Sequence, residues 1–169
     1  TQTFDISLRD AGSILLSTRI DMNNLNENYL ATPSSLFGNI PNLISVNNFA
    51  GNIYYKDSSL TSTLTSIVNA TAYQLTFDRR VTHQLSIIGV PLAVPYSYTI
   101  PSGESWLPII SERSREIERD LFNDLDLPKI TKITDLQTGS YWPSGRLRTL
   151  KAGVGYIINT SQSVDIIFR

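Results

Sequence analysis

Residues 3–8, TFDISL, put Phe4, Ile6 and Leu8 on one face and Thr3, Asp5 and Ser7 on the other. That two-residue period predicts a half-buried strand. YQLTF, YIINTS and SVDIIF are similarly rich in β-branched and aromatic residues, which suit a pleated surface. Gly51, Gly139 and the run Pro143–Gly145 punctuate these strands as turns. Only SERSREIERDLFNDL changes period. There Ile117, Leu121 and Leu125 recur every four residues, Ser111 stands where an N-cap would, and charges fill the other faces, so the spacing predicts a helix near residues 112–125. The pattern as a whole predicts a mainly β chain, β-rich α+β, with at most one short helix in each half.

The strand pattern occurs twice. Ile67 and Leu150, Tyr73 and Tyr156, Val81 and Val164, and Leu85 and Phe168 are each 83 residues apart, with no gap needed between them. Upstream, Pro41 and Pro128, Leu43 and Ile130, Val46 and Ile133, Tyr54 and Tyr141, and Tyr55 and Trp142 are each 87 apart. The difference between the two offsets implies four extra residues in the first copy, near Leu60–Ile67. Matched positions are apolar or turn-forming and the polar ones between them vary, as expected if two copies share a backbone and a core. We therefore expect two tandem repeats, residues 1–92 and 93–169, packed face to face about an approximate twofold axis. The counterpart of the helix, around Leu25–Leu30, is Asn-rich and runs into Pro33, which predicts a shorter helix ending there. The AGVGY of the second copy has glycines where the NATAY of the first has alanines, so only the second is expected to use a positive φ. Joining the copies, HQLSIIGVPLAVPYSYTIPSG is expected to run extended and to pack between them, because it is rich in proline yet apolar.

Composition then narrows the function. A 169-residue chain is long enough to bury a core without covalent staples. Fourteen basic and fifteen acidic residues leave a formal net charge of −1, so no global field draws in nucleic acid or an anionic membrane. The chain has no cysteine, which removes disulfides, thiolate metal sites and cysteine nucleophiles together. TQTFDISLRD lacks the basic start and apolar run of a signal peptide, and no apolar stretch has the length of a membrane helix. Thr1 fits removal of an initiator Met from a complete small protein.

Candidate chemistry is sparse. His83 is the single histidine and lies in a predicted strand, with neither metal-ligand spacing nor an adjacent nucleophile. Glu112, Glu116, Glu118, Asp120, Asp124 and Asp126 alternate with Arg113, Arg115 and Arg119, the composition of a solvated, ion-paired face. A carboxylate-only glycosidase would need two acids facing across a groove instead. AGVGY lacks the spacing of a phosphate loop, and the Asn-x-Ser/Thr triplets at Asn69 and Asn159 are those of an Asn-rich and Ser/Thr-rich chain. No cofactor or metal is expected. Two surface candidates remain. Tyr54, Tyr55, Tyr141 and Trp142 stand at equivalent positions in pairs that alternate faces, so one member of each pair can face outward as an interface or ligand aromatic. Arg146, Arg148 and Lys151 form a short basic cluster, read as a polar interface.

Residues 135–158, DLQTGSYWPSGRLRTLKAGVGYII, resemble a small module of the form G-x-Y-W-P followed by L-x-x-G-x-G-Y, seen in structural and tail-associated proteins of tailed bacteriophages and in some secreted bacterial proteins. The matching positions are Gly139, Tyr141, Trp142, Pro143, Leu147, Leu150, Gly153, Gly155 and Tyr156; the first copy keeps Gly51, Tyr54, Tyr55, Ile67 and Tyr73 but has Ala70 and Ala72 for the two later glycines. The resemblance implies a scaffold for assembly on a virion and carries no functional residues across. The expectation is a non-enzymatic virion structural protein, a tail, baseplate or capsid-decoration subunit. Its partners would be other virion proteins in a symmetric homo- or hetero-oligomer assembled in the host cytoplasm. The alternative is a carbohydrate- or receptor-binding module that presents its Tyr and Trp side chains to a glycan.

Overall fold

The computed structural model describes residues 1–21, 31–57 and 59–169. The chain is mainly β. In order come β1 (Gln2–Leu8), β2 (Gly12–Ser17), β3 (Ile20–Asp21), helix α1 (Pro33–Phe37), β4 (Leu43–Asn47), β5 (Ile53–Tyr55), β6 (Ala72–Phe77), β7 (Val81–Ile87) and β8 (Val90–Pro91). Then follow β9 (Tyr96–Ile100), β10 (Gly103–Pro108), β11 (Arg115–Glu116), β12 (Ile130–Thr134), β13 (Tyr141–Trp142), β14 (Thr149–Leu150), β15 (Gly155–Thr160) and β16 (Val164–Phe168). Two four-stranded antiparallel sheets, ordered β2-β6-β4-β5 and β10-β15-β12-β13, form the body. The ribbons β1-β7 and β9-β16 accompany them, while β3-β8 and β11-β14 are two-residue pairings.

Set side by side, the sheets are wound alike. The third strand in each order, β4 and β12, carries a register shift against its neighbour, between Leu43 and Ser45 in one and between Ile130 and Lys132 in the other. Each sheet has its own core. Phe4, Ile6, Phe37, Val46, Leu75 and Phe77 belong to the first, and Ile100, Leu107, Ile133, Ile158, Ile166 and Phe168 to the second. Core membership changes along the bridge, since Ile87 lies in the first cluster and Leu92 packs on the second. Each such side chain contributes roughly 1.5–3 kcal/mol on burial, so these two clusters are the main source of stability.

Tyr73 on β6 and Tyr156 on β15 have the same job. Val68 N–H donates to the Tyr73 hydroxyl at 2.8 Å, and Lys151 N–H donates to the Tyr156 hydroxyl at 2.8 Å. In both cases the ring reaches back five residues and ties the loop that enters its own strand. Burial pushes the Tyr156 phenol up to about 12, against the opposing effect of the Lys151 N–H, which favours the phenolate.

Between the sheets the backbones come very close. A Cβ on Gly155 would lie 2.8 Å from the Ala72 Cβ and 3.1 Å from the Leu15 Cβ, so β15 meets β2 and β6 where only hydrogen fits. Ser17, 2% exposed, fastens the same seam. Its N–H donates to Gly153 O at 2.9 Å, its hydroxyl donates to Val154 O at 3.0 Å, and the hydroxyl oxygen accepts from Ile109 N–H at 3.0 Å.

Four local expectations are corrected. The segment 112–125 is not a regular helix: Arg115 and Glu116 pair with β14, and Ile117–Leu121 form one π-helical turn. Ser111 is no N-cap there, since it is buried and accepts from Arg113 N–H and from Arg115 Nε. Ile117 and Leu121 are buried as their spacing predicts, but Leu125 is exposed, because the backbone extends at Phe122 and ends the turn. Second, Pro33 begins a helix instead of ending one; its missing N–H costs nothing in the first turn, and Thr32 and Ser35 bond reciprocally as a capping box. The expected helix around Leu25–Leu30 lies outside the described residues. Third, Ala70 takes φ +53 where Gly153 takes φ +81, so the first half holds an alanine in the left-handed region that was expected only of the glycine. Finally, the bridge runs extended and pairs with β3 through β8, but it does not pack wholly inward: Ile88, Val90 and Val94 are exposed.

Two measurements check this account. Gly155→Val should cost about 2 kcal/mol in urea unfolding through overpacking of the seam, and an Ala72→Gly background should return part of that loss; equal cost in both backgrounds would mean that the contact is not limiting. For Tyr156, the folded phenol holds its proton to about pH 12 while the unfolded one releases it near 10, so the linked stability is complete below pH 10 and is lost as pH rises through 12. A loss of about 3 kcal/mol is expected over that window, and Tyr156→Phe should flatten the curve there while costing about 1 kcal/mol at neutral pH.

Candidate interaction site

The four aromatics proposed from sequence do not form one platform. Tyr54 and Tyr55 sit on β5, at the outer edge of the first sheet, and Tyr141 and Trp142 on β13, at the outer edge of the second. Tyr54 and Tyr55 are half-buried, Tyr54 against the first core. The Tyr141–Trp142 pair alternates as expected of a strand: Tyr141 is 39% exposed and Trp142 only 5%. The Trp142 indole N–H donates to Glu118 Oε1 at 2.9 Å, which satisfies its one donor as the ring enters the core. Glu118, read from sequence as part of a solvated face, is thus a partner to the buried indole.

Around Tyr141 there is a small polar rim. Lys132 Nζ lies 4.8 Å from the centre of its ring, in cation–π range. Arg146 joins Tyr141, Thr138 and Ser144 in lining an open depression of about 400 Å³. The structure therefore brings Tyr141 and Arg146 together. Arg148 and Lys151 are exposed but line no part of that depression; the Arg148 carbonyl instead accepts from Ile117 N–H, and the Lys151 N–H is the donor to Tyr156.

A second cleft, of about 430 Å³, was not legible in the sequence. Its apolar lining comes from Pro91, Leu92, Val94 and Ile110, and its rim from Arg19, Glu112, Arg113, Arg115 and Arg169. Arg19 and Glu112 form an ion pair at 3.3 Å. Arg115 is held in place by Ser111 Oγ at 2.9 Å and by the main-chain oxygen of Arg169, and its charge also reaches the Asp120 carboxylate. Arg113 and Arg169 have no carboxylate partner among the described residues. The arginines come from β2's exit, from β11 and the segment just before it, and from the end of β16, so no local run of sequence signals the cluster. In water alone these charges are weak attractors; over an apolar floor, where the effective dielectric falls, they favour an acidic occupant more strongly.

Other sequence candidates resolve simply. His83 stands on β7 opposite Ile6 in register and is half-buried. Asp120 accepts from Arg119 Nε at 3.0 Å and from Glu116 N–H at 3.1 Å, and these contacts, Arg119 first, hold its carboxyl below the usual range. Among the described residues, no group of three His, Cys, Asp or Glu side chains is placed to hold a metal ion. No helix among them is long and apolar enough to cross a membrane. Compared with known proteins, the chain matches no protein-family model, no curated protein and no solved structure.

Proposed function

We propose that the chain is a non-enzymatic structural subunit of a bacteriophage virion, in the tail, baseplate or capsid decoration, built from two copies of one β module and acting through protein–protein contacts in a symmetric assembly. One observation carries the reading: the residues by which 135–158 resemble the phage module are scaffold residues. Trp142, Leu147, Leu150 and Tyr156 are buried in one core, and Gly139 and Gly153 take positive φ in the turns between them. A module defined by such positions contributes shape, and its outer faces are left to bind neighbours. The matching winding of the two sheets supports the duplication. Purified particles from the host that encodes the chain should contain it at a fixed copy number, and deletion of the gene should remove a discrete density in electron microscopy. Intact, infectious particles with no missing density would sink the proposal.

A second reading keeps the surface of β13 as a receptor- or glycan-binding site. Tyr141, Lys132 and Arg146 supply an exposed ring with two cations beside an open depression, which supports contact with an acidic sugar better than with a neutral one. On an array of sialylated and neutral glycans, binding to the acidic set that Tyr141→Ala lowers at least about fivefold would favour this reading. Absence of binding by the wild-type chain would remove it.

A further inference from the structure

The arginine-rimmed cleft and a projecting leucine on the same chain are complementary. Leu125 is 83% exposed, more than any other large hydrophobic side chain among the described residues. It is displayed by a fixed turn: Asn123 Oδ1 accepts from Leu125 N–H at 3.0 Å and from Asp126 N–H at 2.9 Å, and Lys129 Nζ closes on Asp126 at 2.8 Å. Because Asp126 is paired, the free carboxylate beside the leucine is that of Asp124, which has no cation among the described residues. The knob is thus a rigid apolar side chain with one unpaired negative charge next to it. The cleft offers the converse, an apolar floor of Leu92, Val94 and Ile110 with unpaired Arg113 and Arg169 at its rim.

We infer that the turn at Leu125 docks into the arginine-rimmed cleft of a second copy of the chain, with Leu125 on the apolar floor and Asp124 paired to Arg113. An intramolecular contact is ruled out by the exposure of Leu125 in the folded chain. Knob and cleft are neighbours around Arg169, which lines the cleft and also shares a depression with Asn123 and Asp126. A second copy related by a twofold axis can therefore give its knob and receive the first one's in the same contact, which closes a dimer. Preorganisation of the turn by Asn123 reduces the ordering cost of docking. The contact deepens the assembly reading and rests on it only in that the chain works as one of many copies.

Native mass spectrometry and sedimentation of the purified full chain test the inference. Wild type should self-associate, more weakly at high salt because a charge pair is involved. Leu125→Ser and Arg113→Glu are both surface changes, and each should weaken association at least about tenfold, with circular dichroism unchanged. Mixing Asp124→Arg chains with Arg113→Glu chains should restore it. A synthetic peptide of residues 123–129 should compete, and its Leu125→Ser version should not. A chain that stays monomeric, or an oligomer indifferent to both substitutions, overturns the inference, and that includes the case in which a small anion or another protein fills the cleft instead. The assembly reading fails separately. A monomeric chain that is still found in particles would end the Leu125 contact alone, while a self-associating chain absent from particles would end the virion reading alone.

Discussion

The approach of β15 to β2 and β6 is the constraint on which the rest of this molecule depends. At that seam the Gly155 backbone leaves no room for a methyl group against Ala72 and Leu15, and Ser17 uses its N–H and its hydroxyl, as donor and acceptor, on partners across it. Burying a hydroxyl without partners costs about 1–3 kcal/mol, so full satisfaction of Ser17 is what lets a polar residue sit there at 2% exposure. With β2, β6 and β15 held this tightly, β5 and β13 are left at the opposite edges of their sheets, and the segments before β11 and after β16 are brought to Arg19 at the exit of β2. Both candidate surfaces, the Tyr141 rim and the arginine cleft, follow from that arrangement.

Within each half the tyrosine hydroxyl does locally what Ser17 does at the seam. Tyr73 and Tyr156 accept from a backbone N–H five residues upstream, and the residue between, Ala70 or Gly153, turns the chain through positive φ. Ring burial, the phenol bond and the left-handed residue form one device. It tolerates alanine in the first half although the left-handed region costs a Cβ-bearing residue about 1 kcal/mol, because packing of Tyr73 into its core is large enough to hold the strained turn in place.

What the sequence made legible was whatever repeats or alternates. The strands from Tyr73, Val81, Tyr156 and Val164 fall where the pattern puts them, and the outward Tyr141 with inward Trp142 is the alternation of an ordinary strand. Periodicity misled at SERSREIERDLFNDL, where three leucine-like residues at helical spacing outweighed a competing demand: Arg115 and Glu116 are needed to pair with Thr149 and Leu150. The glycine rule misled at Ala70, because tertiary packing overrode a local preference. Arg19, Arg113, Arg115 and Arg169 could not have been grouped in advance, since 150 residues separate the first from the last and only the closed fold makes them neighbours.

The projecting turn contrasts with the loop that follows α1 in the first half of the chain. Between Phe37 and Pro41 the chain has three residues, and Gly38 N–H folds directly back on Ser34 O to end α1. Between Leu121 and Pro128 it has six, and in that longer loop Asn123, Asp124 and Leu125 are exposed. Nothing in the second core requires them: Phe122 and Leu127 bracket the loop and pack on that cluster, while Leu125 does not. An exposed leucine on a rigidly turned loop has a solvation cost and no compensating contact within its own chain. The copy-to-copy contact inferred above would offset that cost, because the apolar floor of the cleft would take Leu125 out of water.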